Sequence, residues 1–214
     1  MDKRLLSLKR LWGKMVFRYA GRNISNQSVR HSRKFYNLIG RFYDWIYTEH
    51  IEGYIQSQQY LVDQCIADGD RVLDIGCGTG QIIQMVGGKA RLVIGMDISR
   101  QMLKQALEKK RAGQPVYYTV ADCRNIPLRT KFDKIVSSFM LVILPRDERR
   151  KAIAHFAEFV DSQGELIFLT AQDEISSQWL TREEWTEYCN QAGFSVVEIM
   201  DIHEYFRLVR ARRV

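Results

Sequence analysis

The stretch Val72-Leu73-Asp74-Ile75-Gly76-Cys77-Gly78-Thr79-Gly80 decides how this chain is read. Residues 71–75 have the composition of a buried strand, and the glycines that follow permit a tight turn and close approach of backbone to a ligand. The spacing is GxGxG with Gln at 81, so the third glycine of the dinucleotide fingerprint GxGxxG is missing. No Lys-Ser or Lys-Thr pair follows the glycines, which excludes a Walker-type phosphate loop. A glycine turn alone is a weak sign. Here an acid precedes it inside the strand, and acids end the next two strands as well.

Outward from this turn, strands and helices alternate. After the strand at 71–75 the pattern predicts a helix at 81–86, a strand at 91–96, a helix at 99–111 capped by Ser99, and a strand at 116–120. A strand at 132–139, a helix at 146–160 and a strand at 165–170 follow. A helix over 181–191 opens with a capping box from Thr181 to Glu184, and tightly joined strands at 194–199 and 204–210 close the chain. This alternation predicts an α/β fold, a mostly parallel sheet with helices on both faces, whose ligands sit beyond the carboxyl ends of the strands.

The acids then acquire roles. Asp97 closes the second strand, where its carboxylate can accept both hydroxyls of a ribose lying across the glycine turn. Asp122, after the third strand, can accept from the exocyclic amino group of adenine, with Ile98 and Met102 supplying apolar faces for the base. Nothing supplies the cations or donor nest that a phosphate needs, so the pattern fits a nucleoside without one. Asp74 either orients the turn through backbone N–H groups or meets the ligand directly. Cys77 and Cys123 read as small residues lining the site, not as nucleophiles.

With these residues in view, 70–210 resembles the class I S-adenosylmethionine-dependent methyltransferases. The resemblance rests on DIGCGTG at 74–80, Asp97, Asp122, the block at 132–141 and the closing Ala192-Gly193-Phe194. It implies a Rossmann-like seven-stranded sheet of order 3-2-1-4-5-7-6 with the last strand antiparallel, and S-adenosylmethionine as cofactor. It also implies a cofactor site of Asp74, Gly76, Cys77, Gly78, Gly80, Asp97, Ile98, Met102, Asp122, Cys123 and Ser138, in which Asp74 either orients the turn or meets the methionine amine. Residues 161–166 resemble the family's turn before strand five, with Ser162 and Gln163 in place of Pro and Gly. Residues 42–47 (FYDWIY) are similar to the segment that covers the cofactor in ubiquinone- and menaquinone-type methylators. Nothing between Thr170 and Thr181 is long enough for a large lid, so the aromatic segment around Tyr36 and Tyr43 is left as the cover, with their hydroxyls as the candidate catalytic contacts to the acceptor.

The front of the chain differs from the rest. Of 32 Lys and Arg, eleven fall in residues 1–41 against one acid, Asp2, which leaves 21 basic and 24 acidic residues beyond. Residues 1–20 predict an amphipathic helix, with Leu5, Leu8, Trp12, Met15, Val16 and Tyr19 on one side and Lys3, Arg10, Lys14 and Arg18 on the other. Residues 21–34 read as a polar loop and 35–69 as a helical cover segment. The expected division is a basic extension over 1–34 and the cofactor-binding domain over 35–214. Such a front suits an anionic partner, membrane surface or nucleic acid; a solvated tail and a transit peptide are its other readings.

The longest apolar run, 139–144, is far short of a membrane span, and no secretory signal is expected. The four cysteines and four histidines show neither metal-ligand spacing nor a CxxC pair, so neither a metal nor disulfides are expected in what reads as a cytoplasmic protein, with membrane association left open. The leading expectation is an enzyme that methylates a small molecule, lipid-like or quinone-like, met at a membrane surface. RNA or protein methylation through the basic front, cofactor binding without catalysis, and a dehydrogenase are the alternatives. Gln81 and Asp122 speak against the last.

Overall fold

The computed structural model describes residue 8 and residues 11–18, 29–48 and 50–214. Helix α1 covers residues 11–18, and α2 (Val29–Tyr47) and α3 (Tyr54–Cys65) follow it. Then come β1 (Arg71–Ile75), α4 (Gln81–Val86), β2 (Leu92–Asp97), α5 (Arg100–Glu108), β3 (Val116–Val120) and β4 (Phe132–Ser138). The chain ends with α6 (Arg146–Ala157), β5 (Val160–Ala171), α7 (Arg182–Gln191), β6 (Phe194–His203) and β7 (Phe206–Arg213). The seven strands form one sheet in the order β3-β2-β1-β4-β5-β7-β6, parallel except for β7, which runs antiparallel to both neighbours. This is the expected Rossmann-like order.

Both sheet faces are covered, and the two-residue period of a strand sorts side chains between them. Val72 of β1 and Ile167 and Leu169 of β5 pack with Phe17 of α1, Leu61 of α3 and Ile83 of α4. Leu73 and Ile75 of β1 and Leu166 and Phe168 of β5 pack on the other face, with Ile153 and Phe156 of α6 and Trp185 of α7. Ser99 caps α5 by accepting from the Met102 N–H at 3.2 Å, and the capping box at Thr181 and Glu184 starts α7. Among the described residues, no helix is long and apolar enough to cross a membrane.

Three features depart from the sequence reading. Helix α2 begins at Val29, within the stretch read as a loop, because Ser32 is a buried first-turn residue of a helix that packs on the domain. Residues 21–28 lie outside the described residues, as do 1–7, 9, 10, 19 and 20 of the expected front helix. No turn precedes strand five. Instead β5 starts at Val160, and its pairing with β4 jumps from Phe132↔Val160 to Lys134↔Glu165, so residues 161–164 bulge within the strand. The closing strands also run further than expected, to His203 and Arg213.

Candidate active site

Beyond the carboxyl ends of β1 to β4 lies a cleft of about 940 Å³, roofed by α2. Its floor is the glycine turn. Gly76 has φ 78°, and a Cβ there would lie 2.4 Å from Met140 Cγ; Gly78 has φ 53°, and a Cβ there would project into open space, so only glycine gives both the turn and the clear approach. Asp97 Oδ2 accepts the Gly78 N–H at 2.9 Å and Oδ1 the Ser99 N–H at 2.7 Å, which fixes the carboxylate at the mouth of the turn with a lone pair still free on each oxygen. Burial lifts this carboxyl to about 6, against the pull of those backbone donors.

Asp122 lines the same cleft, held by Arg124 at 2.8 Å, and Arg124 also reaches Glu148 at 3.2 Å. Burial alone would raise the Asp122 carboxyl, but the hydrogen bonds and charge of Arg124 outweigh it and keep the group below its ordinary value. Asp122 is therefore an ionised acceptor at neutral pH, whereas Asp97 titrates close to it. Phe139, directly after β4, has φ 55°, a strained conformation for a side chain of that size, and it lines the cleft wall.

A smaller cavity of about 340 Å³ adjoins, lined by Asp74, Gln58, Thr79, Tyr43 and Tyr54 among others. Asp74 and Gln58 are almost fully buried, yet Asp74 Oδ1 and Gln58 Oε1 have no hydrogen-bond partner. Burial, aided by the Asp97 charge, lifts the Asp74 carboxyl to about 8. Two unsatisfied acceptors on one small space call for a ligand rich in donors, and an ammonium group offers three. Ser138 Oγ, on the wall shared by both cavities, is likewise buried without a partner.

The two cavities together collect Tyr36, Tyr43, Asp74, Gly76, Cys77, Gly78, Asp97, Ile98, Met102, Asp122, Cys123 and Ser138. Gly80 lines neither; it caps α4 and packs against Ala106 and Tyr118. Tyr36 and Tyr43 hang from the inner side of α2, and burial pushes both phenols well above their ordinary range, so they are donors and not bases. Sequence reasoning missed Gln58, which carries no motif on α3, and Ser32, which lay in the stretch read as a loop. It also missed the wall that follows β4, including Ile143, Leu144 and Glu148. Of these, only the apolar run at 139–144 left a trace in the sequence.

Residues 72–164 match the methyltransferase domain family. An uncharacterized methyltransferase of Bacillus cereus is 25% identical over 165 residues, covering 72% of this chain and 76% of that one. Residues 72–164 are therefore a methyltransferase domain with the features of the class I S-adenosylmethionine-dependent methyltransferases. An uncharacterized protein of Methanocaldococcus jannaschii is 33% identical over 108 residues, half of this methyltransferase but only 39% of that protein's length. The fold is shared with magnesium protoporphyrin IX methyltransferase of Synechocystis, solved with S-adenosylmethionine, at a TM-score of 0.63 and 21% identity over 100% of this chain and 98% of that one. S-adenosylmethionine is the methyl donor of the family, and the unpartnered acceptors and the glycine cradle of this chain fit it.

Proposed function

We propose that the protein transfers the methyl group of S-adenosylmethionine to a small apolar acceptor, lipid-like or quinone-like, met at a membrane surface. The observation that carries this reading is the pair of buried, unpartnered acceptors Asp74 Oδ1 and Gln58 Oε1 beside the free lone pairs of Asp97. The first two hold the ammonium of the methionine part, and Asp97 takes the ribose hydroxyls. Asp122 accepts from the adenine amino group, while Ile98 and Met102 flank the ring. When bound, the cofactor supplies a sulfonium methyl that is already electrophilic.

What remains for the protein is positioning and exclusion of water. Phe139, Met140, Ile143 and Leu144 give the rest of the cleft an apolar wall, which supports an apolar acceptor. Tyr36 and Tyr43 close it from above and donate hydrogen bonds to the acceptor's oxygen or nitrogen. Neither supplies a base, so the acceptor arrives as a group that is nucleophilic by itself or loses its proton readily.

Calorimetry with S-adenosylmethionine and with NAD tests the cofactor assignment. The wild type is expected to bind the first and not the second. Asp97→Ala removes charge-assisted contacts and is expected to cost about 2–3 kcal/mol of affinity. Tighter binding of NAD, or an unchanged affinity in Asp97→Ala, overturns the reading.

A further inference from the structure

Helix α2 carries two apolar faces, and only one of them is used. Ser32, Tyr36 and Tyr43 turn inward over the cleft, while Leu38 (77% exposed), Phe42 (61%) and Trp45 (61%), spaced at three and four residues, face solvent together with Phe35. Lys34 and Arg41 lie exposed beside this stripe. The helix's one acid, Asp44, points the other way, to Thr79 Oγ1 at 2.5 Å and to Lys109 Nζ.

Helix α1 repeats the pattern. It is anchored by Phe17, buried among Tyr47, Phe139, Trp179, Tyr205 and Phe206, and by Gly13, where a Cβ would stand 2.9 Å from the Tyr205 hydroxyl. Val16 packs on the core beside Phe17, whereas Leu11, Trp12 and Met15 of the helix, and Leu8 ahead of it, are exposed together with Lys14 and Arg18. Each helix therefore turns an apolar face to solvent, rimmed by cations without an exposed acid between them among the described residues.

We infer that the outward stripe of α2, joined by that of α1, docks on the surface of an anionic lipid bilayer and thereby seats the roof of the cleft in the headgroup layer. The inference deepens the proposed function, resting on it for the cleft and on these exposed faces for the membrane. Exposed Trp, Phe and Leu beside Lys and Arg on a helix is the mixture that inserts shallowly into such a surface. A second copy of the chain would bring a like-charged rim against this one. RNA would pair with the cations but gain nothing from Leu38, Leu11 or Met15.

The test is co-sedimentation of the full chain with vesicles of phosphatidylcholine alone and of phosphatidylcholine with phosphatidylglycerol, with tryptophan emission recorded. The wild type is expected to sediment with the anionic vesicles and its emission to shift to the blue. Trp12 and Trp45 would leave water, whereas Trp179 and Trp185 are already buried. Leu38→Glu combined with Phe42→Glu is expected to weaken partitioning at least about tenfold, with melting temperature and vesicle-free affinity for S-adenosylhomocysteine unchanged. Four results overturn the inference: wild type left in the supernatant, equal binding by the variant, a dimer that the variant abolishes, or RNA that displaces the vesicles. Failure to bind S-adenosylhomocysteine would instead sink the proposed function, and the vesicle result would stand apart from it.

Discussion

A buried carboxylate oxygen without a partner penalises the charged form, and at Asp74 this has two measurable consequences. The carboxyl, lifted to about 8, stays protonated in the free protein at neutral pH, whereas in the unfolded chain it ionises near 4. Between those values the folded state holds the extra proton, so this group makes stability fall as pH rises from about 4 to 8 and level off above. An ammonium ligand wants the ionised form, so affinity for S-adenosylmethionine is expected to rise with pH up to about 8, with proton release on binding below it. Asp74→Asn is expected to flatten both profiles, raise the melting temperature of the free protein at pH 8, and weaken binding roughly 10- to 100-fold through loss of a charged contact. Denaturation and calorimetry across pH read these directly. Tyr43→Phe tests the neighbouring role: if its hydroxyl orients the acceptor, turnover falls while affinity for S-adenosylhomocysteine is retained.

The cover is a helix tied down by few polar contacts. Asn37 Oδ1 accepts from Ser99 Oγ at 2.7 Å and from the Gln101 N–H at 3.3 Å, and Asp44 bonds Thr79 and Lys109. Asn37, Asp44 and Lys109 are at least partly exposed, though their partners Ser99 and Thr79 are buried, and ties with one solvated end add little to global stability. Their place between α2 and the body makes them the polar groups expected to hold the cover down. Asn37→Ala with Asp44→Ala is expected to raise amide exchange across residues 29–47 by about tenfold and speed release of S-adenosylhomocysteine, while β1 and β4 amides keep their protection. Hydrogen exchange followed by mass spectrometry checks this. The helix itself was only half legible: aromatic periodicity marked 35–47, but 29–34 is polar, and its place in the helix follows from packing. The same limit applies to α1, whose apolar periodicity was plain while the face that packs, through Phe17, is the opposite one.

Across the whole molecule, one ion cluster joins three neighbouring strands. Glu165 of β5, buried, meets Lys134 of β4 at 3.0 Å and Arg210 and Arg212 of β7 at 3.3 and 2.6 Å. Burial would raise this carboxyl, but Arg212, Lys134 and Arg210 pull it down to about 2. Its contribution is therefore complete above about 4.5 and lost as pH falls toward 2. Glu165→Gln is expected to destabilise the protein by about 3–5 kcal/mol at neutral pH, leaving Lys134 and Arg212 without their carboxylate while Arg210 keeps Glu198, and to make the remaining acid unfolding shallower in urea titrations. No pattern in the sequence announces this cluster, because its members are up to 78 residues apart. By itself the sequence determined the order and kind of the elements from β1 onward, since two-residue and 3.6-residue periods, caps and glycine turns are local. It also marked the acids in or just beyond the carboxyl ends of three neighbouring strands, because a parallel sheet presents those ends together. Only the tertiary structure decided that Gln58 shares a cavity with Asp74, that β5 bulges instead of turning, and which faces of α1 and α2 meet water. Each of these depends on the shapes of distant side chains competing for one space, and a linear pattern holds no record of that competition.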